Sequence, residues 1–350
     1  YQKAIGDTLY FIADDGTHGR ELWKSDGTAA GTVLVKDIST DVTSITDFTQ
    51  IGDTLYFSGY TYPGTGWELW QSDGTAAGTV IIRDANTPNW MRIEDLTAVG
   101  DTLYFDANDG VHGNALYKSD GTASGIVMLK DINSMNTNFH EDDLDWFTAF
   151  DDTLYFAGED GINGRELWKS DGTVSGTVMV KDIYPGLSNG LDIIAQITPT
   201  SDYVLFRADD GNHGVELWKT DGTAAGTVMV KDILTGSQSS SPYPLAINDV
   251  IPVLGDTVFL AATDNSGRMM WQSNGTDSGT FKISTHLPSY IAFAGNTTFF
   301  TATVSGYGGE LWAYDPVNIT GLDSGSGSGS SGGMTNVTGA TCTVSPALPT

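Results

Sequence analysis

Short apolar stretches alternate with polar, glycine-containing turns along most of the chain, and the alternation is periodic. The string GDTLYFIADDGTHGRELWKSDGTAAGTVLVKDI occupies residues 6–38. Its first six residues return in related form at positions 52, 100, 151, 201, 255 and 295, so that successive copies begin 40 to 54 residues apart. Self-similarity at a period of this size indicates a repeated supersecondary unit.

Each copy is predicted to contain four short strands. An apolar stretch such as residues 45–51 precedes a Gly-Asp turn, which favours the positive φ of a tight hairpin. The second strand, residues 8–13, is β-branched or aromatic on both faces, and a glycine-containing loop leads from it to the third strand at 21–24. A Ser-Asp-Gly-Thr turn precedes the fourth strand at 32–36. Apolar residues on both faces indicate sheets that are covered on both sides.

Four strands in 40 to 54 residues match the blade of a propeller, whereas a sandwich needs about 100 residues and a solenoid coil about 20 to 30. The fold class is therefore predicted as all-β: a seven-bladed β-propeller of four-stranded antiparallel blades over residues 1–322, with a short extended C-terminal tail. Its repeats begin near residues 1, 45, 94, 145, 194, 248 and 289, and residues 317–322 supply the last strand. Residues 323–333 form a Gly/Ser-rich linker and 334–350 an extended tail.

A large aromatic residue recurs in every third strand. We interpret it as packing between blades rather than as a ligand contact. The set comprises Trp23, Trp70, Tyr117, Trp168, Trp218, Trp271 and Trp312.

The segments ELWKSDGT, ELWQSDGT, ALYKSDGT, ELWKTDGT and the weaker MMWQSNGT and ELWAYDPV resemble the repeats of bacterial proteins named for their ELWxxDGT motif. The resemblance extends over residues 1 to about 322. It implies a secreted or surface-associated propeller and implies no catalytic residue. The last two copies depart from the motif, since Asn274 replaces the aspartate in one and the other lacks DGT.

Charge narrows the classes of partner. There are 44 acidic and 16 basic side chains, giving a formal net charge of -28 and a pI near 4.1, so DNA, RNA and anionic membranes would be repelled. Cations, basic partners and neutral sugars remain open, and so does a role of the acidic residues in solubility alone. No apolar run is long enough to span a membrane and no signal segment opens the chain. A processed secreted protein or a piece of a longer one would explain the start at Tyr1, and we expect an extracellular or cell-surface location.

Three kinds of modification or metal site are considered. Cys342 is the single cysteine, so any disulfide must be intermolecular. N-x-S/T sequons make four asparagines candidates for glycosylation: Asn274, Asn296, Asn318 and Asn336. No cofactor is required by any motif. Acidic residues recur in the loop between strands two and three and could bind calcium, although ordinary turn chemistry explains them as well. These are Asp14, Asp15, Asn108, Asp109, Glu159, Asp160, Asp209 and Asp210.

Other recurring polar residues do not converge if the repeats surround an axis. His18, His112 and His213 fall in alternate repeats, too far apart to share a zinc ion. A Ser-Asp-Gly-Thr turn also occurs in sialidase-like propellers, but no arginine cluster or catalytic triad accompanies it here.

Threonines three residues before the strand-two turn could line a central channel and bind a sugar or ordered water. They are Thr49, Thr97, Thr148 and Thr198.

Aromatic residues outside the repeat pattern are the candidates for contact with a glycan or a surface protein, because such interfaces favour Trp and Tyr. The set is Tyr60, Tyr62, Trp67 and Trp90. Residues 334–350 could reach a neighbouring copy and produce head-to-tail association.

The sequence as a whole predicts a non-enzymatic structural or adhesive surface module that self-assembles into filaments through its tail. A glycan-binding lectin and a sialidase-like or lyase-like carbohydrate-active enzyme are the alternatives.

Overall fold

The computed structural model describes 13 segments of the chain. They are residues 1–38, 44–61, 66–82, 93–109, 111–134, 144–191, 197–244, 253–254, 256–284, 288–294, 297–304, 308–314 and 335–336. Within them the protein is all-β, apart from one 3-10 turn at Ala123–Gly125. The chain forms two compact units, of which the first comprises Tyr1–Pro199, Tyr203–Asn212 and Lys219–Val228. The second comprises Thr200–Asp202, His213–Trp218 and Met229–Thr350.

Every sheet of the described residues is antiparallel, and strands pair in chain order, as the alternation of apolar strands and tight turns predicts. The exception is the sixth sheet, in which Tyr243–Pro244 and Val253–Leu254 both pair with Thr257–Asp264. The first sheet comprises Gln2–Ile5, Thr8–Asp14, Arg20–Ser25 and Val33–Lys36, and the second comprises Ser44–Ile51, Thr54–Thr61, Gly66–Ser72 and Val80–Ile81. The third sheet comprises Ile93–Val99, Thr102–Asn108, Asn114–Ser119 and Val127–Lys130, and the fourth comprises Leu144–Phe150, Thr153–Glu159, Arg165–Ser170 and Val178–Lys181. The fifth sheet comprises Thr198–Pro199, Val204–Asp209, Val215–Thr220 and Val228–Lys231. The sixth sheet comprises Tyr243–Pro244, Val253–Leu254, Thr257–Asp264, Gly267–Ser273 and Phe281–Ser284. The seventh sheet comprises Pro288–Ala294, Thr297–Val304, Gly308–Tyr314 and Thr335–Asn336.

In the first unit the initial strands of successive repeats lie against one another. Gln2–Ile5 contacts Ser44–Ile51, which contacts Ile93–Val99; that strand contacts Leu144–Phe150, and the series continues to Thr198–Pro199. We call these initial strands the inner strands. Contacts between neighbouring inner strands and four-stranded antiparallel sheets fit a β-propeller-like architecture. Closure into a ring and a count of seven blades stay predictions.

The seventh sheet differs from the sequence-based expectation. Its fourth strand is Thr335–Asn336, which pairs with Trp312 and Ala313 of the third strand. The strand expected at residues 317–322, like the linker at 323–333, lies outside the described residues. Two residues of the predicted extended tail therefore form an edge strand of the last sheet, while the remaining tail residues lie outside the described segments.

Aromatic and aliphatic side chains fill the spaces between repeats. In repeats two, three and four the second-strand phenylalanines Phe57, Phe105 and Phe156 are fully buried, and each stacks on the aromatic residue of the third strand. The third-strand residues Trp70, Tyr117, Trp168, Trp218 and Trp271 are all at most 7% exposed, whereas Trp23 is half-buried and the side chain of Trp312 lies outside the described part.

The Ser-Asp-Gly-Thr turn has a fixed internal structure. In the fourth repeat, Asp171 Oδ1 accepts hydrogen bonds from the amide (2.8 Å) and the hydroxyl (2.7 Å) of Thr173. The Ser170 hydroxyl accepts the Gly172 amide at 3.1 Å and bonds the Thr177 hydroxyl at 2.8 Å. Only glycine fits at position 176, since a β-carbon there would overlap the Asp171 carboxylate. The motif therefore reads as SDGTxxGT.

The turn of the fourth repeat is held by the third repeat, which precedes it. Two lysines donate to its carbonyls: Lys118 Nζ to Gly172 O and Lys130 Nζ to Thr177 O, both at 2.7 Å. A tyrosine of the preceding second strand, Tyr104, reaches the same turn, and a β-carbon at Gly172 would lie 2.6 Å from its hydroxyl oxygen. We call this tyrosine and these two lysines the junction set.

The junction set recurs along the first unit. Lys24 donates to Gly74 O at 2.8 Å and Lys36 to Thr79 O at 2.7 Å, while Lys169 and Lys181 bond the fifth repeat's turn in the same way. The fourth-strand lysine of the set also lies over an aromatic ring of the next repeat, as Lys130 does with its Nζ atom 5.2 Å from the centroid of the Trp168 ring. The recurrence explains why the motif combines apolar, cationic and turn residues. Its lysines bind the turn of the following repeat, and its own turn is bound by lysines of the preceding repeat.

Candidate functional site

The inner strands of repeats two, three and four share a distortion that regular strands lack. The register of each shifts by a bulge, and one residue there has a positive φ: Asp47 at 57°, Asp95 at 52° and Trp146 at 61°. A non-glycine residue in left-handed geometry costs about 1 to 2 kcal/mol and is concentrated at functional sites and switch regions. The bulges therefore make the inner strands candidates for a functional site.

Threonine hydroxyls stabilise these bulges. Thr97 donates to Asp95 O and Thr148 to Trp146 O, each at 3.1 Å, and each also contacts a carbonyl of the next inner strand, Phe147 O at 3.4 Å or Ile197 O at 3.3 Å. The hydroxyls thus bond the backbone of neighbouring repeats.

A group of acidic residues surrounds the bulges of repeats three and four. Asp106 of the second strand is 3% exposed and its Oδ1 has no hydrogen-bond partner. Burial raises the pKa of Asp106 well above its ordinary value, and the nearby carboxylates of Asp95, Glu94 and Asp145 raise it further. We call these four residues the inner acidic cluster.

One cation already bonds the inner acidic cluster. The Arg165 guanidinium donates from Nη1 to Asp145 Oδ2. The Arg165 side chain is 8% exposed and that of Asp145 is 30% exposed. Glu94 and Asp95 are also half-buried, so these carboxylates are partly accessible to solvent, whereas Asp106 is buried.

The acidic loops between strands two and three have a different structure. Asp15 Oδ1 accepts the amides of Thr17 (2.9 Å) and His18 (3.0 Å), and its Oδ2 bonds His18 Nδ1 at 2.8 Å. These bonds lower the pKa of Asp15 to about 2 and raise the pKa of His18. Asp109 bonds His112 in the same manner.

Other loop acids repeat this arrangement. Asp14, Asp160, Asp209 and Asp210 each accept a backbone amide two residues further along. The geometry is that of an Asx turn. Among the described residues no three His, Cys, Asp or Glu side chains are grouped to hold a metal ion. Calcium binding at these loops, which also include Asn108 and Glu159, stays a prediction.

The predicted partner-contact aromatics are only partly described. Tyr60 and Trp67 form a cross-strand pair whose ring centroids lie 5.8 Å apart, and both are half-buried. Each therefore has the other as a packing partner. Tyr62 and Trp90 lie outside the described residues, so a shared binding surface for all four stays a prediction.

The glycosylation candidates have unequal settings. Asn274 is exposed and takes the place of the turn aspartate, with its Oδ1 accepting the Thr276 hydroxyl at 2.7 Å. Asn336 belongs to the last edge strand. Asn296, Asn318 and Cys342 lie outside the described residues.

The inner acidic cluster was missed by the sequence analysis. A signal existed: Asp106 interrupts the second strand at a position that holds Ile12 in the first repeat and Ala157 in the fourth. A charged residue within an otherwise apolar strand is the kind of departure from a repeat that marks function rather than packing.

Comparison with solved structures finds chains of related fold. A puromycin hydrolase matches with 14% identity and a TM-score of 0.46, over 90% of this chain and 51% of that one. Prolyl oligopeptidase B from Galerina marginata matches with 10% identity and a TM-score of 0.49, over 90% and 48%. A prolyl endopeptidase matches with 9% identity and a TM-score of 0.48, over 90% and 47%. This chain thus spans about half the length of the solved chains.

Two further comparisons gave nothing: no protein-family model matches the chain, and neither does any curated protein. The likeness to solved structures concerns the fold alone at this identity, and it assigns no residue, substrate or reaction to this chain.

These matches overturn the functional inference drawn from the sequence. The expectation of a non-enzymatic structural or adhesive module, which followed from the lack of a recognisable catalytic constellation, was wrong, because the three similar proteins are a hydrolase, an oligopeptidase and an endopeptidase by name. None of the three is described as a lectin, a sialidase or a lyase. Among the described residues there is no helix with the length and apolar character needed to cross a bilayer.

Proposed function

We propose that this protein binds a cationic peptide side chain, an ammonium or guanidinium group, at the inner acidic cluster. The single observation that supports this most strongly is the Oδ1 atom of Asp106, an acceptor without a partner in a side chain that is 3% exposed. A buried acceptor left without a partner costs free energy, and a bound donor would remove that cost.

The form of the ligand follows from the arrangement of the carboxylates. A calcium ion needs six to eight oxygens at 2.3 to 2.6 Å, and the described carboxylates are not grouped for that. A guanidinium or ammonium group instead forms separate hydrogen bonds in several directions. Arg165 provides an internal precedent, because it bonds Asp145 within the same cluster.

The pH dependence of this binding has a defined sign. The pKa of Asp106 is raised by burial and by three neighbouring carboxylates, so the free protein holds a proton on Asp106 to higher pH than an exposed aspartate would. A cation favours the ionised form, so affinity for it should rise with pH as Asp106 loses its proton.

Fluorescence titration with a tetra-arginine peptide tests the proposal, with tetraglutamate as the ligand control. Trp146 follows Asp145 directly and gives a local signal, which Trp146→Phe should remove. We expect Asp106→Asn to weaken binding at least tenfold and to abolish its pH dependence.

Because the whole chain is strongly acidic, a matched charge control is needed. Glu94→Gln with Asp95→Asn changes the net charge by two, and so does Asp7→Asn with Asp53→Asn at two exposed turns. The first pair should weaken binding and the second should leave it within about twofold. Equal weakening by both pairs would reduce the effect to general charge attraction and overturn the site.

A further inference from the structure

A second pair of polar side chains lies where the third repeat leads into the fourth, in the segment that follows Val127–Lys130. Asp131 Oδ1 and Asn133 Oδ1 are buried acceptors without a hydrogen-bond partner, and Asn133 is only 6% exposed. A buried oxygen of this kind costs free energy until a donor reaches it. We call Asp131 and Asn133 the outer polar pair.

Asn133 lies against the fourth repeat. A β-carbon built on Gly161, in the loop between the second and third strands of that repeat, would lie 2.8 Å from Asn133 Oδ1. At the next junction the ring of Tyr184 lies over Gly211 in the same manner, with a ring carbon 2.7 Å from such a β-carbon. Asn133 thus places a shorter, hydrogen-bonding side chain where the fourth repeat places an aromatic ring.

The surroundings of Asp131 favour a positively charged ligand. Burial raises the pKa of Asp131, the His112 imidazole lowers it, and the Asp109 carboxylate raises it again. Asp109 Oδ2 already bonds His112 Nδ1 at 2.7 Å, so these two neighbours satisfy each other. The two oxygens of the outer polar pair therefore need a ligand that donates hydrogen bonds, and the carboxylate favours a cationic one.

The outer polar pair and the inner acidic cluster belong to the same junction. Asp106 of the third repeat interacts electrostatically with Asp145 of the fourth, and Asn133 lies over Gly161 of that same repeat. Both polar residues stand where the fourth repeat has an apolar or aromatic one, and departures of this kind from a repeat mark function. One ligand that contacts both places explains why the two departures occur together.

The spacing of the two places fits a short peptide. In the register of the third sheet Asp106 is aligned with Leu116, and Leu116 with Lys130, the residue before Asp131. Two strand spacings therefore separate Asp106 from Lys130, which is about 10 Å. In a polyproline II segment, side chains three positions apart lie on one face and are about 9 Å apart. Two side chains with this spacing can reach both places.

We propose that the outer polar pair is a second subsite for the cationic peptide, and that it binds an ammonium or guanidinium group three residues away from the group bound at the inner acidic cluster. This inference rests on the proposed function, since it assigns the first cationic group to Asp106 and its neighbours. It narrows the ligand class to peptides in which two basic residues are separated by two others.

Fluorescence titration of the full chain with three capped tetrapeptides tests the second subsite. The peptides are Arg-Pro-Pro-Arg, Arg-Arg-Pro-Pro and Arg-Pro-Pro-Gln. The first two have the same charge and composition and differ in the spacing of the arginines alone. We expect Arg-Pro-Pro-Arg to bind about tenfold more tightly than either of the others, the effect of one hydrogen bond to a charged group. Equal affinities for the first two peptides would overturn the proposal.

Asn133→Leu is the decisive variant, because it leaves the net charge unchanged and introduces the residue type of the fifth repeat, where Leu234 has this position. It should remove most of the preference for Arg-Pro-Pro-Arg over Arg-Pro-Pro-Gln. The melting temperature should stay equal or rise, since an unpartnered polar atom is removed. Asp131→Asn should also reduce the preference. Asp37→Asn, at the equivalent exposed position of the first repeat, removes the same charge and should leave the preference within about twofold.

The outcomes separate this proposal from the one on which it rests. Binding of Arg-Pro-Pro-Gln that Asp106→Asn weakens supports the inner acidic cluster by itself. If that binding is present and Asn133→Leu keeps the preference for Arg-Pro-Pro-Arg, the outer polar pair binds no cationic group and the second subsite is wrong. If none of the three peptides binds, both proposals are overturned.

Discussion

The first and fourth repeats contain the same nine residues, RELWKSDGT, at positions 20–28 and 165–173, but these residues have different environments. Ser170 is fully buried and Trp168 is 6% exposed, whereas Ser25 and Trp23 are half-buried. The internal bonds of the two turns agree to within about 0.1 Å. The difference is what precedes each copy: the junction set Tyr104, Lys118 and Lys130 contacts the fourth repeat. Identical sequence thus fixes the turn, and the preceding repeat fixes its burial.

The largest difference is expected for the tryptophans. Trp168→Ala should lower the free energy of unfolding by about 3 to 5 kcal/mol, because the ring is buried between Phe156 and the ammonium group of Lys130. Trp23→Ala should cost clearly less, since that ring is more exposed. Urea unfolding of both variants measures the two values. Equal losses would contradict the assigned role of the preceding repeat.

The buried glutamate of the fourth repeat should produce a pH effect. Glu166 accepts amides of Ile183, Tyr184 and Gly190 at 3.0 to 3.1 Å, and burial raises its pKa to about 7. Because the native state then binds more protons than the unfolded state between pH 4.5 and 7, stability should fall as pH rises through this window, by up to about 3 kcal/mol. Glu166→Gln should flatten this part of the profile. A slope unchanged by the substitution would exclude Glu166 as its source.

Crowding at the junction glycine should have a smaller effect. Gly172→Asn would bring a side chain against the Tyr104 hydroxyl, and overpacking of this kind costs about 1 to 3 kcal/mol. Gly27→Asn has open space, so it keeps only the strain of a non-glycine residue at a φ of 87° and should cost about 1 kcal/mol. Thermal unfolding of the pair checks the difference. A reversed order would mean that backbone conformation, not contact, determines the cost.

Removal of one junction lysine should have the smallest effect. Lys118→Met keeps the apolar stem and loses the bond from Nζ to Gly172 O, so we expect a loss of about 1 kcal/mol. Lys3→Met in the first strand is the matched control and should be neutral. If the two variants unfold at the same urea concentration, the lysine bond contributes nothing to the junction.

The sequence predicted the repeats, their strands and their turns because these depend on local pattern: Gly-Asp and Ser-Asp-Gly-Thr determine turns wherever they occur. It did not predict the junctions, since Lys118 and its acceptor at Gly172 are 54 residues apart and a lysine beside a turn has the pattern of a solvated residue. The inner acidic cluster was missed for the same reason. Asp106 and Asp145 belong to different repeats, and their proximity follows from tertiary packing.

The last edge strand shows a different limit. Thr335–Asn336 pairs with Gly308–Tyr314 after a long intervening stretch, and a search for the fourth strand within one repeat length could not find it.

The junctions have a direction, and that direction coincides with the order of biosynthesis. Tyr10, Lys24 and Lys36 leave the ribosome before the turn that contains Gly74 and Thr79, so the first repeat emerges with its binding groups already in place for the second. The same order holds for the third and fourth repeats. N-terminal parts of a nascent chain generally fold first. Synthesis of this part of the protein can therefore proceed as stepwise growth on a template, in which a completed sheet that carries the tyrosine and two lysines binds its successor.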